Sequence, residues 1–260
     1  MTKKRLDVLM AERELTESRT RAQRLIQAGE VRVDGQLVHK PSTQVSDDAA
    51  ITLEAKPPFV SRGGEKLDAA LERFDIDVTD AVAADVGAST GGFTDCLLQR
   101  GAQRVYAIDV GYGQLHWKLR NDPRVVLMER TNARYLKRLP EVVDIVTIDV
   151  SFISLKLILP PALGWLTPAG QVVALIKPQF EAGPQHVEKG GVVRDPEVHR
   201  RVLEDTLDMA AELDLGLHGL MPSPLRGSAG NVEFLAWWAW EDDTVDRQTA
   251  VDACISVLGY

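Results

Sequence analysis

The chain of 260 residues holds only two cysteines, Cys96 and Cys254. They lie too far apart for a metal-ligand spacing, and two thiols make no disulfide framework. Both read as small apolar packing residues, which suits a reducing cytoplasm. No apolar run approaches the roughly 20 residues needed to span a bilayer. The first residues, Met1-Thr2-Lys3-Lys4-Arg5-Leu6-Asp7, are basic, but Asp7, Glu12 and Arg13 follow at once. No apolar h-region forms there, so a secretory signal is not expected. Positive charge is short too: 30 Lys and Arg against 38 Asp and Glu give a net charge of −8. The 45% apolar content is ordinary for a globular protein, and the length allows one or two domains.

The shortage of positive charge is uneven. Residues 1–40 carry nine Lys or Arg and only six Asp or Glu. A basic end on an acidic protein suits a polyanionic partner. Residues 6–15 read as a short amphipathic helix. Ser18 is a good N-cap for a second helix over 19–28, in which Ala22, Leu25 and Ile26 share one side. Arg24 points away from that side, and Arg19 and Arg21 flank it. Gly29 is a natural stop. Val31-Arg32-Val33, Asp34-Gly35 and Gln36-Leu37-Val38 make two alternating strands around a D-G hairpin turn. Val45 and Ile51-Thr52-Leu53 supply further short strands. Lys56-Pro57-Pro58 is stiff and extended, so a first domain is expected over 1–56, a linker over 57–62 and a second domain over 63–260.

In the second domain, helix-like and strand-like runs alternate. A helix is expected over 63–74. Strands are expected over 82–86, 104–109, 125–128, 143–149 and 171–176, a long helix over 196–213, and two last strands over 217–221 and 232–240. Such alternation argues for a parallel, doubly wound α/β sheet. The most informative stretch is Asp85-Val86-Gly87-Ala88-Ser89-Thr90-Gly91-Gly92-Phe93-Thr94, a strand, a glycine turn and a helix start. Its spacing is G-x-x-x-G-G, neither the dinucleotide fingerprint nor the phosphate loop. Asp85 ahead of the first glycine disfavours a phosphate. It suits a cationic, hydroxyl-rich ligand such as S-adenosylmethionine. Asp109 ends the second strand and can accept from both ribose hydroxyls. Asn132 follows the third strand, where its amide suits an adenine edge or caps a helix.

Acid and base residues punctuate the later strands. Asp149 closes one apolar strand and Lys177 follows another, so both point into the crevice at the sheet's carboxyl edge. Glu233 reads as lying inside the last apolar strand. Lys66 opens the first helix of the domain and, by itself, reads as a surface lysine. Trp237, Trp238 and Trp240 read as core residues rather than base-stacking ones. The loop Gly190-Gly191-Val192-Val193-Arg194-Asp195 either closes over a substrate or simply turns, and both readings stay open.

Two resemblances gather these features. Ser18-Arg19, Ala22-Gln23, Leu25-Ile26, Gly29, Val31 and Val33-Asp34-Gly35 closely resemble the S4 RNA-binding module. That likeness implies RNA contacts from Lys4, Arg5, Arg19, Arg21 and Arg24, with Arg62 expected to join them from the end of the linker. Lys66, Asp149, Lys177 and Glu233, in that order, resemble the K-D-K-E tetrad of ribose 2′-O-methyltransferases of the FtsJ/RrmJ type. With the S4 module in front, nearly the whole chain resembles the TlyA family, rRNA 2′-O-methyltransferases often called haemolysins.

The family implies a Rossmann-like, seven-stranded S-adenosylmethionine methyltransferase sheet behind a small N-terminal α+β domain. It implies 2′-O-methylation of ribose, at cytidine, in ribosomal RNA or ribosomal subunits, by a cytoplasmic enzyme without metal or membrane. Asp85, Gly87, Ala88, Ser89, Gly91, Gly92, Phe93, Asp109, Asn132 and Asp149 would hold the cofactor. Lys66, Asp149, Lys177 and Glu233 would be catalytic. A lysine serves as base when desolvation or a neighbouring cation lowers its pKa, and Lys177 is the first candidate. Rival readings are weaker. Arg5-Leu6-Asp7 matches the R-L-D of pseudouridine synthases but opens the S4 helix. A membrane-active haemolysin needs an amphipathic or spanning segment. A dehydrogenase needs the other glycine spacing. A non-enzymatic ribosome-binding protein leaves the tetrad unexplained.

Overall fold

Residues 3–53, 57–240 and 242–259 are described by a computed structural model of the chain. The chain divides between Pro57 and Pro58 into two units. The first unit contains β1 (Lys3–Arg5), α1 (Leu6–Glu12), α2 (Arg19–Gln27), β2 (Val31–Val33), β3 (Gln36–Leu37), β4 (Gln44–Ser46) and β5 (Ile51–Leu53). Helix α1 stops before residue 15, where Glu14 takes a φ of 57°. Ser18 caps α2 by accepting the Arg21 N–H at 3.2 Å. Asp34 and Gly35 have φ of 49° and 80°, the left-handed pair that a two-residue hairpin turn requires. Strands β3, β2 and β5 form one sheet, and β1 pairs with β4. Leu6, Leu9, Met10, Ala22, Ile26 and Val31 fill the core between helices and sheet.

A buried carboxylate organises this small unit. Asp7 is fully buried and accepts from Arg5 (3.0 Å at each oxygen), Gln23 (2.7 Å) and Arg19 (2.9 Å). The Arg5 guanidinium above all, and then Gln23 and Arg19, hold its pKa well below the usual carboxylate range. Three of the residues expected to meet RNA, Lys4, Arg5 and Arg19, also have partners within the fold. Arg5 and Arg19 anchor Asp7, and Lys4 pairs with Glu12 and Asp47. A buried carboxylate needs such partners, so Arg5 and Arg19 serve the fold, whereas the exposed pairs of Lys4 add little to it. Arg21 and Arg24 are exposed and form no ion pair among the described residues.

The second unit contains α3 (Gly63–Arg73), β6 (Val82–Val86), α4 (Gly92–Gln99), β7 (Arg104–Ile108), α5 (Trp117–Arg120), β8 (Val125–Met128) and β9 (Val143–Ile148). It continues with α6 (Leu159–Leu163), β10 (Leu166–Ile176), α7 (Pro178–Glu181), α8 (Pro196–Ala211), β11 (Gly216–Pro222), β12 (Phe234–Ala239) and α9 (Arg247–Val257). Residues 58–62, expected as linker, belong to this unit: Phe59 is buried and the Val60 N–H donates to Asp95 at 2.9 Å.

Its seven strands run in the order β11-β12-β10-β9-β6-β7-β8. Only β12 is antiparallel to its neighbours. Both faces are covered. Val172, Ala174 and Ile176 face one core cluster while Val173 and Leu175 face the other. That double burial is why the strand is apolar without alternation. The chain moves outward from β6 through β7 to β8, then returns to β9 on the other side of β6. The reversal leaves a crevice outside the carboxyl ends of β6 and β9, where open parallel sheets bind ligands. Several expected strand limits change, two of them with consequence. β10 starts at Leu166, with a register shift before Gln171, and Glu233 lies just ahead of β12 rather than inside it.

Candidate active site

The glycine turn follows β6. Gly87 has a φ of 85°, and a Cβ there would lie 2.4 Å from the Asp149 carbonyl oxygen. Only glycine lets the turn pass so close to the end of β9. The N–H groups of Gly87 and Ala88 donate to the Ile108 carbonyl at 2.9 and 3.1 Å, tying the turn to β7. Asp109 completes the tie. One of its oxygens accepts the Ser89 N–H and the other the Gly111 N–H, each at 2.7 Å.

Two cavities open on this edge. One, of about 610 Å³, is lined by Arg62, Gly63, Lys66, Ala88, Gly92, Phe93, Lys177, Gln179 and Glu233, among others. The other, of about 410 Å³, is lined by Asp109, Gln114, Thr131, Asn132, Ile153 and Ile158, among others. Gly87, Ser89, Asp149, Ser151 and Phe152 line both, so the cavities meet at the glycine turn.

The four tetrad residues come from four different places: the first turn of α3, the ends of β9 and β10, and the approach to β12. They form two ion pairs on the larger cavity. Lys66 Nζ lies 2.5 Å from Glu233 Oε2, and Lys177 Nζ lies 2.5 Å from Asp149 Oδ1. The second pair is a charge contact without hydrogen-bond alignment at Asp149 Oδ1. Lys177 donates its aligned hydrogen bond to Ser151 Oγ, at 3.1 Å. Lys66, Lys177 and Glu233 are buried, so each amine needs a nearby carboxylate to offset its lost hydration.

Two cofactor candidates lie elsewhere. Asp85 does not line either cavity. It is fully buried beneath the turn, accepting the Thr94 hydroxyl at 2.6 Å and the Thr147 hydroxyl at 3.4 Å. Burial pushes its carboxyl up to about 7; the Thr94 hydrogen bond opposes this, and the Asp149 charge adds to it. Gly91 is a packing glycine. Its φ is 101°, and a Cβ would lie 2.2 Å from a Leu119 methyl. Asn132 lines the smaller cavity and also caps a short turn, with Oδ1 accepting the Arg134 N–H at 3.1 Å. Arg62 sits on the larger cavity and donates to the Arg226 carbonyl at 2.5 Å. Trp238 is core, Trp237 stacks on Phe74 at 5.9 Å, and Trp240 is at the surface.

The lining of the smaller cavity would suit S-adenosylmethionine. Asp109 offers a carboxylate for hydroxyls, Asn132 an amide for a base edge, and Ile108, Ala133, Ile153 and Ile158 flat apolar walls. Among the described residues no cluster of three His, Cys, Asp or Glu stands ready for a metal, and no helix is long and apolar enough to cross a membrane.

Comparison with known proteins shows the family. Residues 59–240 match the FtsJ-like methyltransferase model and residues 4–51 the S4 domain model. A Mycobacterium tuberculosis protein, 16S/23S rRNA (cytidine-2′-O)-methyltransferase TlyA, is 48% identical over 245 residues, covering 92% of this chain and 91% of its own. The chain belongs to the TlyA family of FtsJ-like methyltransferases. Family and fold imply use of S-adenosylmethionine. Another relative is Hemolysin A of Brachyspira hyodysenteriae, 41% identical over 235 residues, with 89% and 98% coverage. A solved structure named as a hemolysin, from Streptococcus thermophilus, matches with a TM-score of 0.75 at 43% identity, covering 99% of this chain and 96% of that one.

Several lining residues escape a sequence reading. Ser151 and Phe152 appear only as part of a loop motif. Their position follows from a clamp: Glu181, after β10, accepts the Ser154 hydroxyl at 2.6 Å and the Leu155 N–H at 2.9 Å. Burial pushes the Glu181 carboxyl above its ordinary value, and those hydrogen bonds oppose the shift. Gly227 also matters. A Cβ there would lie 2.5 Å from Glu233 Oε1, and the small-residue run Gly227-Ser228-Ala229-Gly230 is the signal that could have pointed to it.

Proposed function

We propose that the chain transfers a methyl group from S-adenosylmethionine to a ribose 2′-hydroxyl of ribosomal RNA, at cytidine as in its TlyA relatives. The observation that carries the reading is the pair of ion pairs, Lys66–Glu233 and Lys177–Asp149, on a cavity that meets the cofactor-like cavity at Gly87. In this reading the first unit, residues 1–57, is the RNA-binding domain and the second, residues 58–260, is the catalytic domain. The protein works in the cytoplasm, where ribosomes are.

Asp109, Asn132, Ser89 and the turn at Gly87 would hold the cofactor, which would supply a methyl group already activated by its cationic sulfur. Lys177, acting in its neutral amine form, would take the proton of the incoming hydroxyl and return to the ammonium that Asp149 offsets. Asp149 offsets the charge of the Lys177 ammonium, and Ser151, which accepts its hydrogen bond, orients it. Lys66, fixed by Glu233, positions the hydroxyl oxygen. Much of the acceleration comes from placing oxygen and methyl in line. The test is incubation of labelled S-adenosylmethionine with separate ribosomal subunits, followed by mapping of the modified ribose. Lys177→Ala is expected to bind cofactor but transfer no methyl. Full transfer by that variant, or a label on base rather than ribose, overturns the assignment.

A further inference from the structure

The catalytic unit is acid-rich, yet residues 130–138, Arg-Thr-Asn-Ala-Arg-Tyr-Leu-Lys-Arg, hold four cations and no acid. Arg130, Arg134, Lys137 and Arg138 are all exposed. Arg134, Lys137 and Arg138 form no ion pair among the described residues. The cations just before them in the chain are neutralised: Arg100 by Asp68, Arg104 by Glu141, Lys118 by Asp95, Arg120 by Glu129 and Arg124 by Asp122. Unpaired, closely spaced cations on an acidic protein repel one another and await a polyanion.

Aromatic rings accompany them. Tyr112, Trp117, Tyr135 and Phe152 are 68%, 71%, 70% and 90% exposed. Arg130 lies over the Tyr112 ring at 4.3 Å and Arg134 over the Tyr135 ring at 5.3 Å. All four rings follow the carboxyl ends of three parallel strands, β7, β8 and β9, so they share the edge that carries the cavities. Thr131 and Asn132, inside the basic run, line the smaller cavity. Large exposed rings in one place mark a binding surface. Rings interleaved with arginines suit unpaired bases and their phosphates.

We propose that the strip Arg134, Tyr135, Lys137 and Arg138, with Tyr112 and Arg130 beside it, is a second RNA-contact surface, carried by the catalytic unit itself. It takes a single-stranded RNA segment next to the target nucleotide, the cations holding phosphates and Tyr135 stacking on a base. The inference rests on the RNA-methyltransferase reading. It is separable from it because binding is read independently of transfer.

The test uses the full chain with ribosomal RNA extracted from both subunits, and measures affinity across a salt series. The triple variant Arg134→Ala, Lys137→Ala, Arg138→Ala is expected to bind more weakly. Its log affinity should fall less steeply with log salt, by about 2 in slope, since each phosphate contact to a single strand contributes roughly 0.7. Tyr135→Ala should lose at least about fivefold in affinity with the salt slope unchanged, as lost stacking predicts. The conservative set Arg134→Lys, Lys137→Arg, Arg138→Lys should restore the slope, and cofactor affinity measured alongside should stay constant. Unchanged RNA affinity and slope in the triple variant overturn the proposal. So does a loss confined to whole subunits with naked RNA unaffected, which would assign the strip to a ribosomal protein. Absence of methyl transfer by the wild type, with the binding effects intact, would refute the catalytic reading and leave the strip standing.

Discussion

Asp85 gives the sharpest test of how the site is built. Its carboxyl is fully buried under the glycine turn and pushed from an ordinary 3.8 to about 7. The folded state therefore holds the proton more tightly than the unfolded chain. Stability is untouched by this group below about pH 4, falls as pH rises from there to about 7, and carries the full penalty above. Roughly three pKa units correspond to about 4 kcal/mol at most. Asp85→Asn removes the titration and keeps an oxygen that can accept from Thr94. The variant is expected to gain on the wild type as pH rises, by up to about 4 kcal/mol between pH 4 and pH 8. Urea unfolding at several pH values, followed by tryptophan fluorescence, measures this. All five tryptophans, at 117, 165, 237, 238 and 240, lie in the second unit, so the signal reports that unit alone. Parallel stability curves for variant and wild type would refute the reasoning. The same variant should retain cofactor affinity, because Asp85 does not line either cavity.

Three further outcomes follow from the geometry. Glu233→Gln leaves the Lys66 ammonium buried without its counter-charge and should destabilise the second unit by about 3–5 kcal/mol, read by the same urea unfolding. Gly87→Ala forces a Cβ against the Asp149 carbonyl at a left-handed φ; a loss of about 1–3 kcal/mol and weaker cofactor binding by calorimetry are expected. Asp7, held low by Arg5, Gln23 and Arg19, contributes stability above the unfolded carboxylate pKa that is lost as pH falls through the folded value. Asp7→Asn should abolish that acid-side loss in the first unit, followed by amide NMR signals of α1 and α2.

Lys66 shows why part of the site was legible only through family likeness. It lies in the first turn of a helix, where charge and periodicity alone read as surface. Its role depends on Glu233, 167 residues away in sequence. Glu233, in turn, was read inside a strand because apolar residues surround it; the strand starts one residue later. Arg5 and Arg19 fit a basic surface by charge count, yet Asp7 claims them from below. The glycine turn reads as a cofactor loop, and its glycines divide their labour. Gly87 faces the crevice, while Gly91 makes room for Leu119.

The amino-acid order alone determined whatever acts over short range. Capping at Ser18, the Asp34-Gly35 turn, the apolar β-strands and the G-x-x-x-G-G turn each depend on residues within a few positions, and local sterics and hydrogen bonding suffice for them. Tertiary structure decided which of the charged residues meet. The reversal of strand order between β6 and β9 brings Asp149, Lys177, Lys66 and Glu233 onto one cavity, and burial there leaves each amine no option but a carboxylate. The same burial withdrew Asp85 from the crevice. Pairing of buried charges is a long-range property of the packed sheet, and it is not encoded in any local window of the chain.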